Sequence, residues 1–172
     1  AFGQAVVNES GLGPLSRDDI ERAMAGSNTT VDFTVAEDHF ALEGQTVPEE
    51  VRLLFQLMYA HLTDPDYSEE AYTLSMQRFG QMYAALSQSV DGQMQLSGYR
   101  FLAGGDLRFG LPPFDSFTAL TLEDVRSWID TALKNEPLEV SVVGDFDEMV
   151  VVDIVGTYIG SLPGREGLGG EK

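Results

Sequence analysis

The chain has 172 residues, with 10 Lys and Arg against 28 Asp and Glu, two His and no Cys, for a formal net charge of −18. Without cysteine it cannot be a disulfide-stapled miniprotein, a zinc ribbon or a thiol redox enzyme. The negative charge opposes binding to nucleic acid and to anionic membranes, so we expect neither as a partner. The length fits one domain of about 100–200 residues, and the absence of a long apolar run predicts a soluble chain.

The first part of the chain predicts a helix followed by a β-hairpin. A short apolar stretch, residues 1–7, ends in a turn-rich run. Ser16 is a good N-cap, and the apolar spacing behind it predicts a helix that ends at Gly26. From residue 29 to residue 42 apolar and polar side chains alternate around a polar turn at 36–38, which is typical of a hairpin with one buried face.

Two amphipathic helices are predicted next. Thr46 and Glu49 form a T-x-x-E capping box, which predicts a helix through Leu62. Pro65 stops this helix, and a longer one begins at Ser68 and runs to about residue 86. Because the connection is short, we expect the two helices to pack against each other.

The second half predicts a helix, a strand and a final helix. Residues 89–118 carry a weak pattern, from which we predict a short helix near 92–101 and irregular chain thereafter. A cap at Thr121 predicts a helix through residue 133, and the apolar run 138–143 predicts a strand. Asp145 fits an N-cap pattern for a last helix over about 147–159, and the glycine-rich end is expected to be disordered.

No motif predicts a metal or catalytic site from the residue pattern. His39 and His61 stand on separate predicted elements, and neither H-E-x-x-H nor H-x-x-E-H occurs, so both histidines are interpreted as structural. The acidic runs that begin at Asp64 and Asp145 lack the glycine and the glutamate that an EF-hand loop requires at its sixth and twelfth positions. Helix capping explains both runs, and G-x-S-x-G is absent.

The order of the elements nevertheless resembles a known family. The segments that carry the resemblance are 11–26, 31–44, 48–66, 138–145 and 158–165, the last of which reads Y-I-G-S-L-P-G-R. Together they resemble a repeated, non-catalytic domain of the insulinase/pitrilysin-type zinc metallopeptidases, which are also called inverzincins. The resemblance covers about residues 5 to 165 and implies an α+β fold, an antiparallel sheet with helices packed on one side.

The resemblance also implies where a metal site would lie. In that family four such domains form two clam-shell halves, and only the first domain carries H-x-x-E-H, on the helix before the position of Gly11. The corresponding residues here are Phe2, Ala5 and Val6 in one register, or Gln4, Val7 and Asn8 in the other. Neither set supplies a ligand, and the distal glutamate position offers only Glu69 and Glu70, without partner histidines. We therefore assign no catalytic, cofactor-binding or metal-binding residue.

The leading hypothesis is a non-catalytic domain, the third of four repeats, that helps to wall the peptide-enclosing chamber of a zinc metalloendopeptidase. Residues 1–165 would be this domain without its first strands, and 166–172 a flexible tail. The alternative is a catalytically silent homologue that acts as a peptide-binding or assembly subunit, and a third reading is an autonomous acid/base enzyme that uses carboxylates.

The expected partners are the other domains of the peptidase, and a peptide substrate in the full-length protein. Zinc is expected only in another domain of that protein. The expected compartment is either the bacterial cytoplasm or the periplasm. Surface that normally meets neighbouring domains should be bare, with residues 1–7 the first candidate, and could support a homodimer.

Overall fold

The chain folds as a helical domain around one β-hairpin in a computed structural model that describes residues 2–36 and 38–165. The helices are α1 Phe2–Glu9, α2 Arg17–Ala23, α3 Val51–Thr63, α4 Glu69–Ser87, α5 Val90–Gln93, α6 Tyr99–Leu102, α7 Phe114–Thr118, α8 Leu122–Asn135 and α9 Glu148–Tyr158. A 3₁₀ turn, Pro48–Glu50, leads into α3, and a π-helical turn, Met94–Gly98, joins α5 to α6. The α+β class with an antiparallel sheet is confirmed.

The two strands form the hairpin that the alternating pattern predicts. Strand β1, Thr30–Val35, pairs antiparallel with β2, Phe40–Gln45, and Phe33 lies opposite Leu42. Phe33 is only 1% exposed because every second side chain of β1 points into the core. Glu37, in the predicted turn, lies outside the described residues.

The apolar start of the chain forms a buried helix. Phe2, Val6 and Val7 of α1 belong to the central core, and Phe2 meets Phe79 and Phe117 edge to face at 5.5 and 5.1 Å between ring centroids. The expectation that residues 1–7 form a bare surface is therefore wrong for residues 2–7, since helical spacing turns Phe2 and Val6 to one face that α4 covers. Ala1 lies outside the described residues.

Helices α3 and α4 pack on different partners. Helix α3 contacts the hairpin, α8 and α9, whereas α4 packs on α1 and α5. The turn between them is bound to the loop after α1, because Gly13 N–H donates to Asp64 O at 2.9 Å and Ser68 N–H donates to Ser10 Oγ at 3.0 Å. These bonds direct α4 back along α1, so the predicted packing of the two consecutive helices is wrong.

Three predicted helix caps are confirmed and two are wrong. Ser16, Ser68 and Thr121 each accept a hydrogen bond from the backbone three residues on. Thr46 makes no such cap, because its hydroxyl lies 2.7 Å from the hydroxyl of Thr29 and helix α3 is entered through the 3₁₀ turn. Helix α9 is capped by Asp147 and not by Asp145, since Asp147 Oδ1 accepts from the N–H groups of residues 149 and 150.

Residues 138–143 form no strand, although the sequence predicts one. They connect α8 to α9 along the surface, and Val143 is 95% exposed. A strand needs a neighbour for its backbone groups, and the described residues contain only the hairpin β1–β2, which does not pair with this segment. The composition of the segment is that of a strand, but no neighbouring strand pairs with it among the described residues.

Other apolar side chains are also exposed. They include Phe101, Leu102 and Leu107 around the loop after α6, and Met149, Val150 and Val152 on α9. The single tryptophan, Trp128 on α8, meets Phe40 of β2 edge to face at 4.9 Å while about half of its surface stays exposed. In the described part of the chain, no helix is long and apolar enough to cross a membrane.

Candidate functional site

Helix α1 occupies the place that the resemblance assigns to the metal-binding helix, directly before Gly11. Its polar face meets the outer edge of β1. The side chain of Asn8 accepts from Phe33 N–H and donates to Phe33 O, both at 2.9 Å, and Gln4 Oε1 accepts from Val35 N–H at 3.2 Å. Two side-chain amides therefore hold the outer edge of β1 at Phe33 and Val35.

Neither register of α1 fits a zinc ion. In the first register all three side chains, Phe2, Ala5 and Val6, are hydrocarbon. In the second, Val7 is buried and apolar, and the oxygen atoms of Gln4 and Asn8 already bind strand β1. Zinc sites in proteins are built from imidazole, thiolate and carboxylate, which α1 lacks at these positions.

The other sequence candidates lie apart from α1. Glu69 and Glu70 are exposed in the first turn of α4, where negative charge complements the helix N-terminus. His39 is exposed beside Asp38, with its Nδ1 2.8 Å from the carboxylate. Among residues 2–36 and 38–165, no three His, Cys, Asp or Glu side chains come close enough to hold a metal ion.

His61 is a neutral, structural histidine. It lies on α3, largely buried, and its Nδ1 has no hydrogen-bond partner in the described part of the chain. Burial lowers the pKa of His61 to about 4, because a charged imidazolium is poorly solvated there. It therefore carries no charge at neutral pH.

Sequence reasoning missed a polar cluster between the 64–67 turn and α8. Tyr67 donates its hydroxyl proton to Asp130 Oδ1 at 2.7 Å, and Lys134 Nζ donates to Asp130 Oδ2 at 2.6 Å. Arg126 lies over the Tyr67 ring, 5.4 Å from its centroid. The cluster borders a cavity of about 310 Å³, into which Asp64 and Asp66 also face.

The charges in this cluster are matched and so favour a structural role. Burial pushes the pKa of Asp130 upward, but hydrogen bonds from Lys134 and Tyr67 outweigh it and hold the pKa below its ordinary value. Burial also raises the pKa of Tyr67, which keeps its hydroxyl protonated as a donor. No local sequence signal predicts the cluster, because Tyr67 and Asp130 come from distant parts of the chain.

A second cavity, of about 330 Å³, lies where the start of α3 meets the start of α9. Its lining is mainly apolar and includes Pro48, Val51, Phe146 and Val150. Together with the exposed face of α9 it forms an apolar surface at the C-terminal end of the domain.

Solved structures of proteases share this fold. A variant of the ferredoxin protease FusC, in complex with Arabidopsis ferredoxin, matches 99% of this chain and 19% of its own with a TM-score of 0.80 and 19% identity. The periplasmic protease PqqL from Escherichia coli matches 96% of this chain and 18% of its own, at a TM-score of 0.68 and 20% identity. A protease from Helicobacter pylori covers the whole chain with 41% of its own length, at a TM-score of 0.70 and 13% identity.

Sequence comparison leads to the same class. The chain is similar to the chloroplastic stromal processing peptidase of Pisum sativum, at 25% identity over 162 residues. It is also similar to the same peptidase of Oryza sativa, at 26% identity over 167 residues. These alignments cover 92% and 93% of this chain. No protein-family model matches the sequence.

These findings confirm the resemblance to the insulinase/pitrilysin-type peptidases. The chain spans only 13% of the length of the stromal processing peptidases. The similarity is therefore to a small part of these metallopeptidases.

Proposed function

We propose that this chain is a non-catalytic repeat, the third of four, of a zinc metalloendopeptidase, and that it helps to wall the chamber that encloses the peptide. The observation that carries the proposal is the chemistry of α1, where Gln4 and Asn8 hold a strand and no residue in either register is a zinc ligand. Hydrolysis would be carried out in another domain by zinc-bound water and a glutamate. A peptide or protein is the expected substrate, in line with the ferredoxin bound to FusC.

Metal analysis of the purified chain tests the silent site. After incubation with zinc and gel filtration, we expect well below one zinc per chain and no cleavage of peptides. The variant Gln77→His with Gln81→His is the matched control, because it places two imidazoles one turn apart on the exposed side of α4. Stoichiometric, tightly bound zinc in the unaltered chain contradicts the proposal, while cleavage that resists chelators supports the acid/base enzyme.

A specific observation favours the alternative, a silent subunit for peptide binding or assembly. The Helicobacter pylori protease is short enough that this chain amounts to 41% of it, so the fold also occurs in chains shorter than FusC and PqqL, of which it amounts to 19% and 18%. The gene separates the two readings. An H-x-x-E-H sequence upstream in the same reading frame supports the wall domain, whereas an active partner encoded separately supports the silent subunit.

The proposed domain is 1–165, with its first strands supplied from outside the chain. Support comes from residues 138–143, which have the composition of a strand and no paired neighbour among the described residues. The proposed flexible tail, 166–172, lies outside the described residues.

The proposed partners are the other domains of the same peptidase, and a second copy when they are missing. The exposed apolar side chains of 138–143 and α9 support this contact, because they stand on a chain whose net charge is −18. The proposed compartment is the bacterial cytoplasm or the periplasm. The similarity to PqqL, a periplasmic protease, supports the periplasm.

A further inference from the structure

The outer edge of β1 is occupied by side chains. Phe33 directs both its N–H and its C=O away from β2 and toward Asn8, and Val35 directs its N–H toward Gln4. In an antiparallel pair, a residue whose backbone groups point away from its partner strand offers them to whatever lies beyond the edge. Here that position is filled by helix α1.

The geometry of α1 matches the strand that it covers. Positions 4 and 8 are one helical turn apart, about 6 Å along the helix axis. Positions 35 and 33 are two residues apart on a strand, about 6.6–6.8 Å. Since Asn8 meets residue 33 and Gln4 meets residue 35, the helix runs opposite to the strand and its amides keep the spacing of a neighbouring strand.

The chemistry of the amides matches as well. An asparagine side chain offers a carbonyl acceptor and an N–H donor, as a peptide group does, whereas a carboxylate only accepts. Asn8 uses both groups on the one residue Phe33, as a paired strand would. Helix α1 cannot easily leave the edge, because Phe2, Val6 and Val7 fix its other face in the core.

We propose that Gln4 and Asn8 close the outer edge of β1, so that no extended peptide and no second copy of the chain pairs with this strand. Unpaired edges are the usual sites of strand addition, both for peptide ligands and for aggregation. The amide pair takes the place of that added strand. This inference concerns β1 alone and holds whether or not the parent protein is a peptidase.

Hydrogen exchange of single amides in the 172-residue chain tests the closure. In Asn8→Ala the protection of the Phe33 amide should fall about tenfold, which is the factor for one net hydrogen bond of ordinary strength. In Gln4→Ala the same fall should occur at Val35 and not at Phe33. The amide of Thr34, which faces β2, is the internal reference, and Asn28→Ala and Gln77→Ala are the matched controls on exposed side chains.

Unchanged protection of Phe33 in Asn8→Ala, or of Val35 in Gln4→Ala, overturns the proposal. Should Asn8→Ala unfold the chain, the Gln4→Ala measurement decides alone, because that variant removes a single acceptor. A second readout uses a synthetic peptide with the β1 sequence TVDFTV as the probe. It should shift the Phe33 and Val35 amide resonances of the variant that lacks both amides and leave those of the unaltered chain in place; equal shifts in both proteins contradict closure.

Discussion

Glu50 binds three consecutive residues of the loop before β1 through one oxygen atom. Its Oε2 accepts from Ser27 Oγ at 2.6 Å, from Thr29 Oγ1 at 2.7 Å and from Asn28 N–H at 2.9 Å. The carboxylate therefore ties the loop before β1 to the start of α3. Hydrogen bonds from Ser27 and then Thr29 lower the pKa of Glu50, since they favour its charged form.

Glu50 should make stability depend on pH. A carboxyl whose pKa is lower in the folded state stabilises the fold above its unfolded pKa of about 4.3, and this stabilisation is lost as pH falls through the folded value. We expect Glu50→Gln to be less stable at pH 7 and to lose less stability between neutral and acidic pH, as urea denaturation at several pH values would measure. Glu49→Gln is the control, because its side chain is exposed and makes no hydrogen bond within the described residues; equal pH profiles for both variants would contradict the role of Glu50.

Tyr67 is predicted to stabilise the turn between α3 and α4 through its hydroxyl. The side chain is buried, and its hydrogen bond to the Asp130 carboxylate spans two distant segments. Tyr67→Phe should lower the free energy of unfolding by about 1.5–3 kcal/mol, as expected for a hydrogen bond to a charged group. Tyr99→Phe, at an exposed tyrosine, should change it by less than about 0.5 kcal/mol. Denaturant unfolding compares the two, and equal losses would show that the Tyr67 bond is not special.

Helices and hairpin could be predicted where their signals are local. The caps at Ser16, Ser68 and Thr121 lie within three residues of the groups that they bind, and the alternation of β1 depends only on neighbouring side chains. Thr46 was mispredicted because its hydroxyl is claimed by Thr29, a distant residue that a local pattern cannot reveal.

The site was predictable only in part. The resemblance implied a helix directly before Gly11, and helix α1 lies there. The hydrogen bonds that Gln4 and Asn8 make to β1 could not be predicted, because that strand lies 25 residues or more further along the chain. The contact between Tyr67 and Asp130 could not be predicted for the same reason, since the two residues are 63 positions apart.

The segment 138–143 should tolerate proline in the isolated chain. Ser141 is exposed, and its N–H takes part in no hydrogen bond within the described residues. Ser141→Pro should therefore change the free energy of unfolding by no more than about 0.5 kcal/mol. Thr131→Pro, in the interior of α8, should lower it by about 3 kcal/mol or more. Thermal or urea unfolding of both variants is the measurement, and a large loss in Ser141→Pro would indicate a strand that the isolated chain already pairs.

The whole chain combines a strongly acidic composition with exposed apolar side chains on α9. Met149 and Val152 of α9 are exposed, and the cavity beside α9 is lined mainly by apolar groups. Exposed apolar side chains that are grouped on one helix are typical of a surface that meets a partner. This agrees with the small share of the stromal processing peptidases that the chain spans.

Val152→Lys tests this surface in two contexts. In the isolated chain it should change the free energy of unfolding by less than about 0.5 kcal/mol, because Val152 is exposed, and it should weaken any self-association seen by sedimentation at high concentration. In the proposed parent peptidase it should lower stability by about 1–3 kcal/mol, because an unpaired charge would be buried. Thr157→Lys, on the exposed polar side of α9, is the control. Equal effects of Val152→Lys in both contexts would contradict a covered α9, and a strictly monomeric chain would count against the homodimer.

The contact of Trp128 with Phe40 gives the chain a built-in optical probe. Because there is a single tryptophan, its fluorescence comes from one place, the junction of α8 with the hairpin. When the protein is excited at a wavelength that tyrosine does not absorb, the emission of Trp128 would report the separation of the hairpin from α8 without an attached label. The order in which these two elements come apart can thus be followed in the unmodified protein.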